Sequence, residues 1–231
     1  MIIDERLSIF IDTLEWKLPE YFEELEKQAT EDEVPIIRRS MQSFLGFFLR
    51  MNAPEAILEI GAAVGFSSLL MSESVPRETS ITTIEKVPAR IREAKKNFKK
   101  YGKEDRIVLL EGDAADVLEE LASQKKQYDF IFMDAAKGQY LNFLPNILKM
   151  LSSNGVLITD NVLQDGDVIQ SRYAVTRRDR TIHGRMREYL FYLTHSEELD
   201  TVILPVGDGI TISRRIPDTK IEEKGNEVSF C

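Results

Sequence analysis

Leu58-Glu59-Ile60-Gly61-Ala62-Ala63-Val64-Gly65-Phe66-Ser67 decides how this chain folds. The apolar run from Ala56 to Ile60 has the length and character of a buried strand. It breaks into a loop with glycine at Gly61 and Gly65, and a helical pattern (Phe66, Leu69, Leu70) follows. A strand that enters a glycine loop and then a helix is where an open α/β sheet holds a nucleotide-like ligand. Glycine lets the backbone approach such a ligand closely. The spacing is not G-x-G-x-x-G and no Gly-Lys-Ser/Thr follows, so neither the dinucleotide fingerprint nor the phosphate-cradling loop is present. A glycine after a first strand can also serve packing alone.

From this stretch strand and helix patterns alternate. Strands are expected at 56–60, 80–85, 106–110, 128–134 and 155–160, with helices at 65–74, 88–100, 114–123 and 139–151. That alternation implies a doubly wound parallel sheet with right-handed crossovers. Upstream, 4–16, 20–29 and 37–51 have amphipathic helical patterns. Downstream, 178–197 reads as a helix. Residues 201–206 and 209–213 then read as a strand pair about the turn Gly207-Asp208-Gly209. The expected fold class is therefore α/β, a Rossmann-like mixed sheet of seven strands. It is parallel with a terminal antiparallel hairpin and carries added N-terminal helices. We expect one domain over 1–216, with 1–51 as a helical extension and 217–231 as a polar, disordered tail.

The 231 residues suffice for one large core. The net charge of −9 argues against general coating of nucleic acid but leaves room for a local basic patch. The one cysteine, Cys231, supports neither a disulfide framework nor a thiolate metal site. The N-terminus is charged from Asp4 onward, unlike a signal peptide, and no apolar run has membrane-spanning length. A cytoplasmic location is expected.

In such a sheet the ligand lies beyond the carboxyl ends of the strands. Acidic residues close five of them: Glu59, Glu85, Asp113, Asp134 and Asp160, the last followed by Asn161. An acid ending the second strand suits two ribose hydroxyls that need an acceptor. Asp113 taken alone fits a helix N-cap better. Asp134, Asp160 and Asn161 would converge as a hard, all-oxygen site of the kind Mg²⁺ takes, although Asp160-Asn161 could also be a plain turn. Lys137, three residues past Asp134, could serve as a base there, and by itself would be a surface charge.

Taken together these residues resemble the cation-dependent O-methyltransferases that include the catechol and caffeoyl-coenzyme A enzymes. The matching motifs are Glu59 to Ser67, Thr83-Ile84-Glu85, Glu111-Gly112-Asp113-Ala114, Asp134-Ala135-Ala136-Lys137, Asp160-Asn161-Val162-Leu163 and Leu204 to Gly209. The resemblance implies S-adenosylmethionine as methyl donor. Gly61 and Ser67, beside Glu59, would lie at its methionine end. Glu85 would bind its ribose, Asp113 and Ala114 its adenine, and Ile37 would touch it through the backbone. It also implies Mg²⁺ on Asp134, Asp160 and Asn161, with Asp134 facing the donor as well and Lys137 taking the proton. A homodimer built on the N-terminal helices is expected on the same ground.

One segment departs from the small-molecule enzymes. From Arg172 to Arg187 there are six arginines and one acid, Asp179, in a chain of net −9. Arginine pairs with phosphates bidentately and stacks on bases, and Tyr173 and His183 could add stacking or donor groups. Arg177-Arg178-Asp179-Arg180-Thr181-Ile182-His183-Gly184-Arg185-Met186-Arg187-Glu188 is similar to the bacterial branch that methylates 5-hydroxyuridine at the tRNA wobble position. This resemblance makes tRNA the expected substrate, held by Arg177, Arg178, Arg180 and Arg185. The alternatives are a catechol or caffeoyl-coenzyme A methyltransferase, whose arginines would be structural or hold coenzyme A phosphates, and a non-catalytic donor- or RNA-binding protein.

Overall fold

The computed structural model describes residues 5–14, 17–171, 173–177 and 180–217. Arg172, Arg178, Asp179, Cys231 and all but the first residue of the expected tail lie outside these residues, as does the start of the first expected helix. The helices are α1 (Glu5–Asp12), α2 (Tyr21–Glu31), α3 (Arg39–Asn52), α4 (Phe66–Ser74), α5 (Pro88–Lys100), α6 (Ala114–Ser123), α7 (Tyr140–Met150) and α8 (Arg180–His195). The strands are β1 (Ala56–Ile60), β2 (Ser80–Glu85), β3 (Ile107–Glu111), β4 (Tyr128–Met133), β5 (Leu151–Thr159), β6 (Leu199–Leu204) and β7 (Ile210–Arg215).

The strands form one seven-stranded sheet in the order β3-β2-β1-β4-β5-β7-β6. The first five are parallel, and β7 runs antiparallel between β5 and β6. This is the mixed sheet that the sequence pattern implies. Two apolar layers cover its faces. One packs Leu118, Phe143, Ile147 and Tyr189 from α6, α7 and α8 against β4 and β5. The other packs Leu45, Leu49, Leu69 and Phe98 from α3, α4 and α5 against β1 and β2. Strands buried on both faces need continuous apolar runs rather than alternation, and Ile57-Leu58 and Phe130-Ile131-Phe132-Met133 supply them at 0–1% exposure.

The chain order reverses between β1 and β4, and such a switch point opens a crevice at the strand ends. Two glycines shape the loop there, for different reasons. Gly61 (φ +104°) lets the ends of β1 and β4 close up, since a Cβ on it would lie 2.1 Å from the Asp134 carbonyl oxygen. Gly65 (φ +84°) makes room for the Phe98 ring of α5. Gly65 is thus a packing glycine, and Gly61 sets the width of the crevice.

β5 begins at Leu151, earlier than the expected 155. Ser152-Ser153-Asn154-Gly155 has the composition of a turn, but Leu151 already pairs with Tyr128 and the register shifts before Val156 joins Phe130. Ser152 is fixed by its hydroxyl bond to Asp129, 2.9 Å. Among the described residues no helix is long and apolar enough to cross a membrane.

Candidate active site

A cavity of about 770 Å³ lies over the strand ends at the switch point. The loops after successive strands bring Gly61, Glu85, Asp113, Ala114, Asp134, Lys137, Asp160 and Asn161 to it, and Ile37 closes it from the segment before α3. All of these are residues the sequence had singled out.

At one end sits Glu85, buried at the tip of β2. Its carboxylate accepts from the backbone N–H of Ala63 (2.9 Å), Lys86 (2.8 Å) and Val87 (2.9 Å). A carboxylate offers about four acceptor positions, so these bonds fix the group and still leave acceptor capacity for a ligand hydroxyl. Asp113 does two jobs. It is the N-cap of α6, accepting from Ala115 N–H at 3.0 Å, and it lines the cavity. The Ala115 bond, with Lys86 Nζ at 3.1 Å, holds its carboxyl below the usual aspartate range. Ile36, Ile37 and Met41 add an apolar wall.

At the other end Asp134 follows β4 and Asp160 follows β5. Asp134 is drawn in by its N–H bond to the Ile60 carbonyl, 3.1 Å, and Asp160 by its N–H bond to the Met133 carbonyl, 3.0 Å. Asn161, held at φ +62°, donates its amide Nδ2 to Asp134 Oδ1 at 3.0 Å. Burial, with the Asp134 charge beside it, pushes the Asp160 carboxyl up to about 7. Burial also raises Asp134, opposed by the Asn161 bond and the Lys137 charge. Two carboxylates sunk together are what a dication neutralises. The donor set, two carboxylates and one amide oxygen, fits Mg²⁺. Among the described residues no group of three or more His, Cys, Asp or Glu offers a rival metal site.

Glu59 and Ser67 stand apart from the other expected donor-binding residues, because neither is among the residues that line the cavity. Glu59 is fully buried behind its wall and accepts hydroxyl bonds from Ser67, Ser68 and Thr83 (2.5 Å for Thr83). Burial raises its carboxyl, and the three hydroxyls oppose that rise. The first turn of α4 packs directly on β1, so Ser67 faces Glu59 rather than the crevice. The pair braces the glycine loop from beneath. His183 is also not a surface group. It is 3% exposed, with its ring Nε2 3.1 Å from the Gln170 carbonyl oxygen.

Two features had no assigned role at the sequence level. Asp208, in the turn before β7, lines the cavity and pairs with Arg38 at 2.6 Å, so the segment before α3 is tied to the hairpin across the site. Its place in the Leu204-to-Gly209 motif was the available signal. Tyr140, fully buried, donates its hydroxyl toward the carbonyls of Ala135 (3.3 Å) and Asp160 (3.2 Å), spanning the ends of β4 and β5.

Helix α8, which carries Arg180, Arg185 and Arg187, packs beside this site. Arg185 donates to the carbonyl of Gly138, the neighbour of Lys137. Arg177, Arg185 and Arg187 are exposed and Arg180 is half-buried.

A profile of the O-methyltransferase family matches residues 13–216. A caffeoyl-CoA O-methyltransferase of Citrus natsudaidai is 30% identical over 204 residues, covering 86% of this chain and 88% of that one. One from Medicago sativa is 32% identical over 177 residues, covering 75% and 72%. The SAH-bound structure of the Podospora anserina methyltransferase PaMTH1 superposes with a TM-score of 0.81 at 29% identity, covering 94% of this chain and 98% of that one.

Proposed function

The chain belongs to the O-methyltransferase family, and from that premise we propose that it methylates 5-hydroxyuridine at the tRNA wobble position to 5-methoxyuridine, with Mg²⁺ as the cation. The coarser activity, S-adenosylmethionine-dependent O-methyl transfer of the caffeoyl-CoA O-methyltransferase type, carries over from the family.

The single observation that supports the tRNA reading is the placement of the arginines. Arg177 leads into α8, Arg180, Arg185 and Arg187 sit on it, and Arg185 ties it to the loop that carries Lys137. The chemistry fits the same site. In 5-hydroxyuridine the 5-hydroxyl and the 4-carbonyl are neighbours, a catechol-like pair. Asp134, Asp160 and Asn161 would hold Mg²⁺, which would supply a Lewis acid to lower the pKa of the substrate hydroxyl. Lys137 accepts or shares the proton released at the reacting oxygen. Glu85, Asp113, Ala114 and Ile37 hold the donor in line with that oxygen, and Ile36, Met41 and Phe143 exclude water. The O–CH3 bond forms as the donor's S–CH3 bond breaks, so the sulfonium leaves as the neutral thioether S-adenosylhomocysteine and the hydroxyl proton is released. Positioning and charge stabilisation supply most of the rate.

The names of the Citrus and Medicago relatives favour a second reading, a caffeoyl-coenzyme A type substrate with the arginines on its phosphates. Salt dependence separates the two. Each phosphate contact to a single strand contributes about 0.7 to the slope of log K against log salt. Replacing Arg177, Arg178 and Arg180 together by alanine should flatten the tRNA slope by about 2 and leave donor affinity unchanged. Wild-type protein whose tRNA binding ignores salt would exclude the tRNA reading.

A homodimer is part of the same proposal. Phe10 on α1 and Phe47 and Met51 on α3 are 60%, 61% and 64% exposed, an apolar surface that a second copy would cover. Sedimentation velocity should give a dimer, and a monomer at micromolar concentration would refute it.

A further inference from the structure

Ile169 and Tyr173, 81% and 85% exposed, are the most exposed of the large apolar and aromatic side chains described in the chain. Both lie in the segment that leaves Asn161 at the ligand end of β5. Its described residues on either side of these two are tied to the rest of the fold. Val168 and Val175 turn inward at 7% exposure each. Buried His183 holds the Gln170 carbonyl at 3.1 Å, and Arg187 Nη1 donates to the Val168 carbonyl at 3.2 Å. Tyr173 N–H bonds Ser171 Oγ at 3.2 Å, and Ala174 N–H bonds the Ser171 carbonyl at 2.9 Å. A fixed backbone that turns an aromatic ring and an isoleucine to solvent is pre-organised for a ligand. The Arg180 guanidinium carbon lies over the Tyr173 ring, 5.9 Å from its centre, and with the residue 85% exposed the ring keeps surface open to solvent. Arg177 is exposed on the same segment.

An aromatic face beside cations is how proteins hold unpaired bases, with the ring stacking on the base and the cations following the backbone. We propose that Tyr173, with Ile169, is a stacking platform for a nucleobase flanking the target in a single-stranded RNA loop, and so positions the reacting nucleotide over the cavity. This rests on the RNA-substrate reading above and adds to it a specificity determinant that is not ionic.

The test uses the full-length protein and a synthetic anticodon stem–loop with 2-aminopurine next to the target uridine. Wild-type protein should quench the fluorophore on binding. Tyr173→Ala should abolish the quench and weaken binding roughly tenfold, with the salt slope and donor affinity unchanged. Tyr173→Trp should restore both quench and affinity. Replacing Arg177 and Arg178 by alanine, which leaves Arg180 on the ring, should do the reverse, flattening the slope while keeping the quench at low salt. Salt-dependent binding by Tyr173→Ala with affinity and quench intact would overturn the platform and leave the RNA reading standing. A wild-type protein that binds no RNA in a salt-dependent way would overturn both. Conversion of a dimer to monomer by Tyr173→Ala would make the ring a subunit contact and likewise overturn the platform.

Discussion

Asp160→Asn should abolish methyl transfer while the donor still binds. Asp160 closes β5, is 4% exposed, and has its carboxyl raised by burial and by the Asp134 charge. The asparagine keeps the shape and an oxygen for the Asn161 N–H, which now bonds Asp160 Oδ1 at 2.7 Å. What it removes is one of the two charges that hold the cation. Lewis-acid stabilisation is worth several kcal/mol, so the rate should fall by about 10³-fold or more. Two like charges buried together repel, so the variant should melt no lower than wild type when both are cation-free. That separates loss of chemistry from loss of fold. Calorimetric titration with the donor should be unchanged, because Glu85 sits at the tip of β2, with β1 and β4 between it and β5. Wild-type turnover by Asp160→Asn would remove the cation from the account.

Glu85→Ala should weaken S-adenosylmethionine binding by roughly 1.5–3 kcal/mol, the range for hydrogen bonds to a charged group, or about 10- to 150-fold. The carboxylate organises three backbone N–H groups, of Ala63, Lys86 and Val87. Its loss therefore loosens the loop between β1 and α4 as well as removing an acceptor. Glu85→Gln, which can keep the Lys86 and Val87 bonds through one oxygen, should lose less. Isothermal titration measures both, and equal affinity in all three proteins would take Glu85 out of the donor site.

What the sequence made legible follows a physical division. Buried parallel strands are long apolar runs, and the acids that end them stand out against that background. Glu85, Asp134 and Asp160 could be named for this reason, and the topology brings them to one cavity. Period and polarity say which element carries a residue, but not which way a side chain turns at its end. Glu59 carries the same signal as Glu85, yet the first turn of α4 caps it with hydroxyls and turns it inward. His183 sits in the basic run but on the buried side of α8, bonded to the segment that displays Tyr173. Ser152 to Gly155 has turn chemistry, and β4 pairing extends the strand through it with a register shift. The Arg38–Asp208 pair joins residues 170 positions apart, and no local pattern encodes it.

The most direct measurement is methyl transfer itself. Purified protein is incubated with isotopically methyl-labelled S-adenosylmethionine and tRNA carrying 5-hydroxyuridine, with Mg²⁺ or with excess chelator. The tRNA is then digested and its nucleosides identified by mass spectrometry. The account predicts labelled 5-methoxyuridine with Mg²⁺ and none with chelator. Unmodified tRNA, together with efficient methylation of a free catechol or an acyl-coenzyme A, would contradict it.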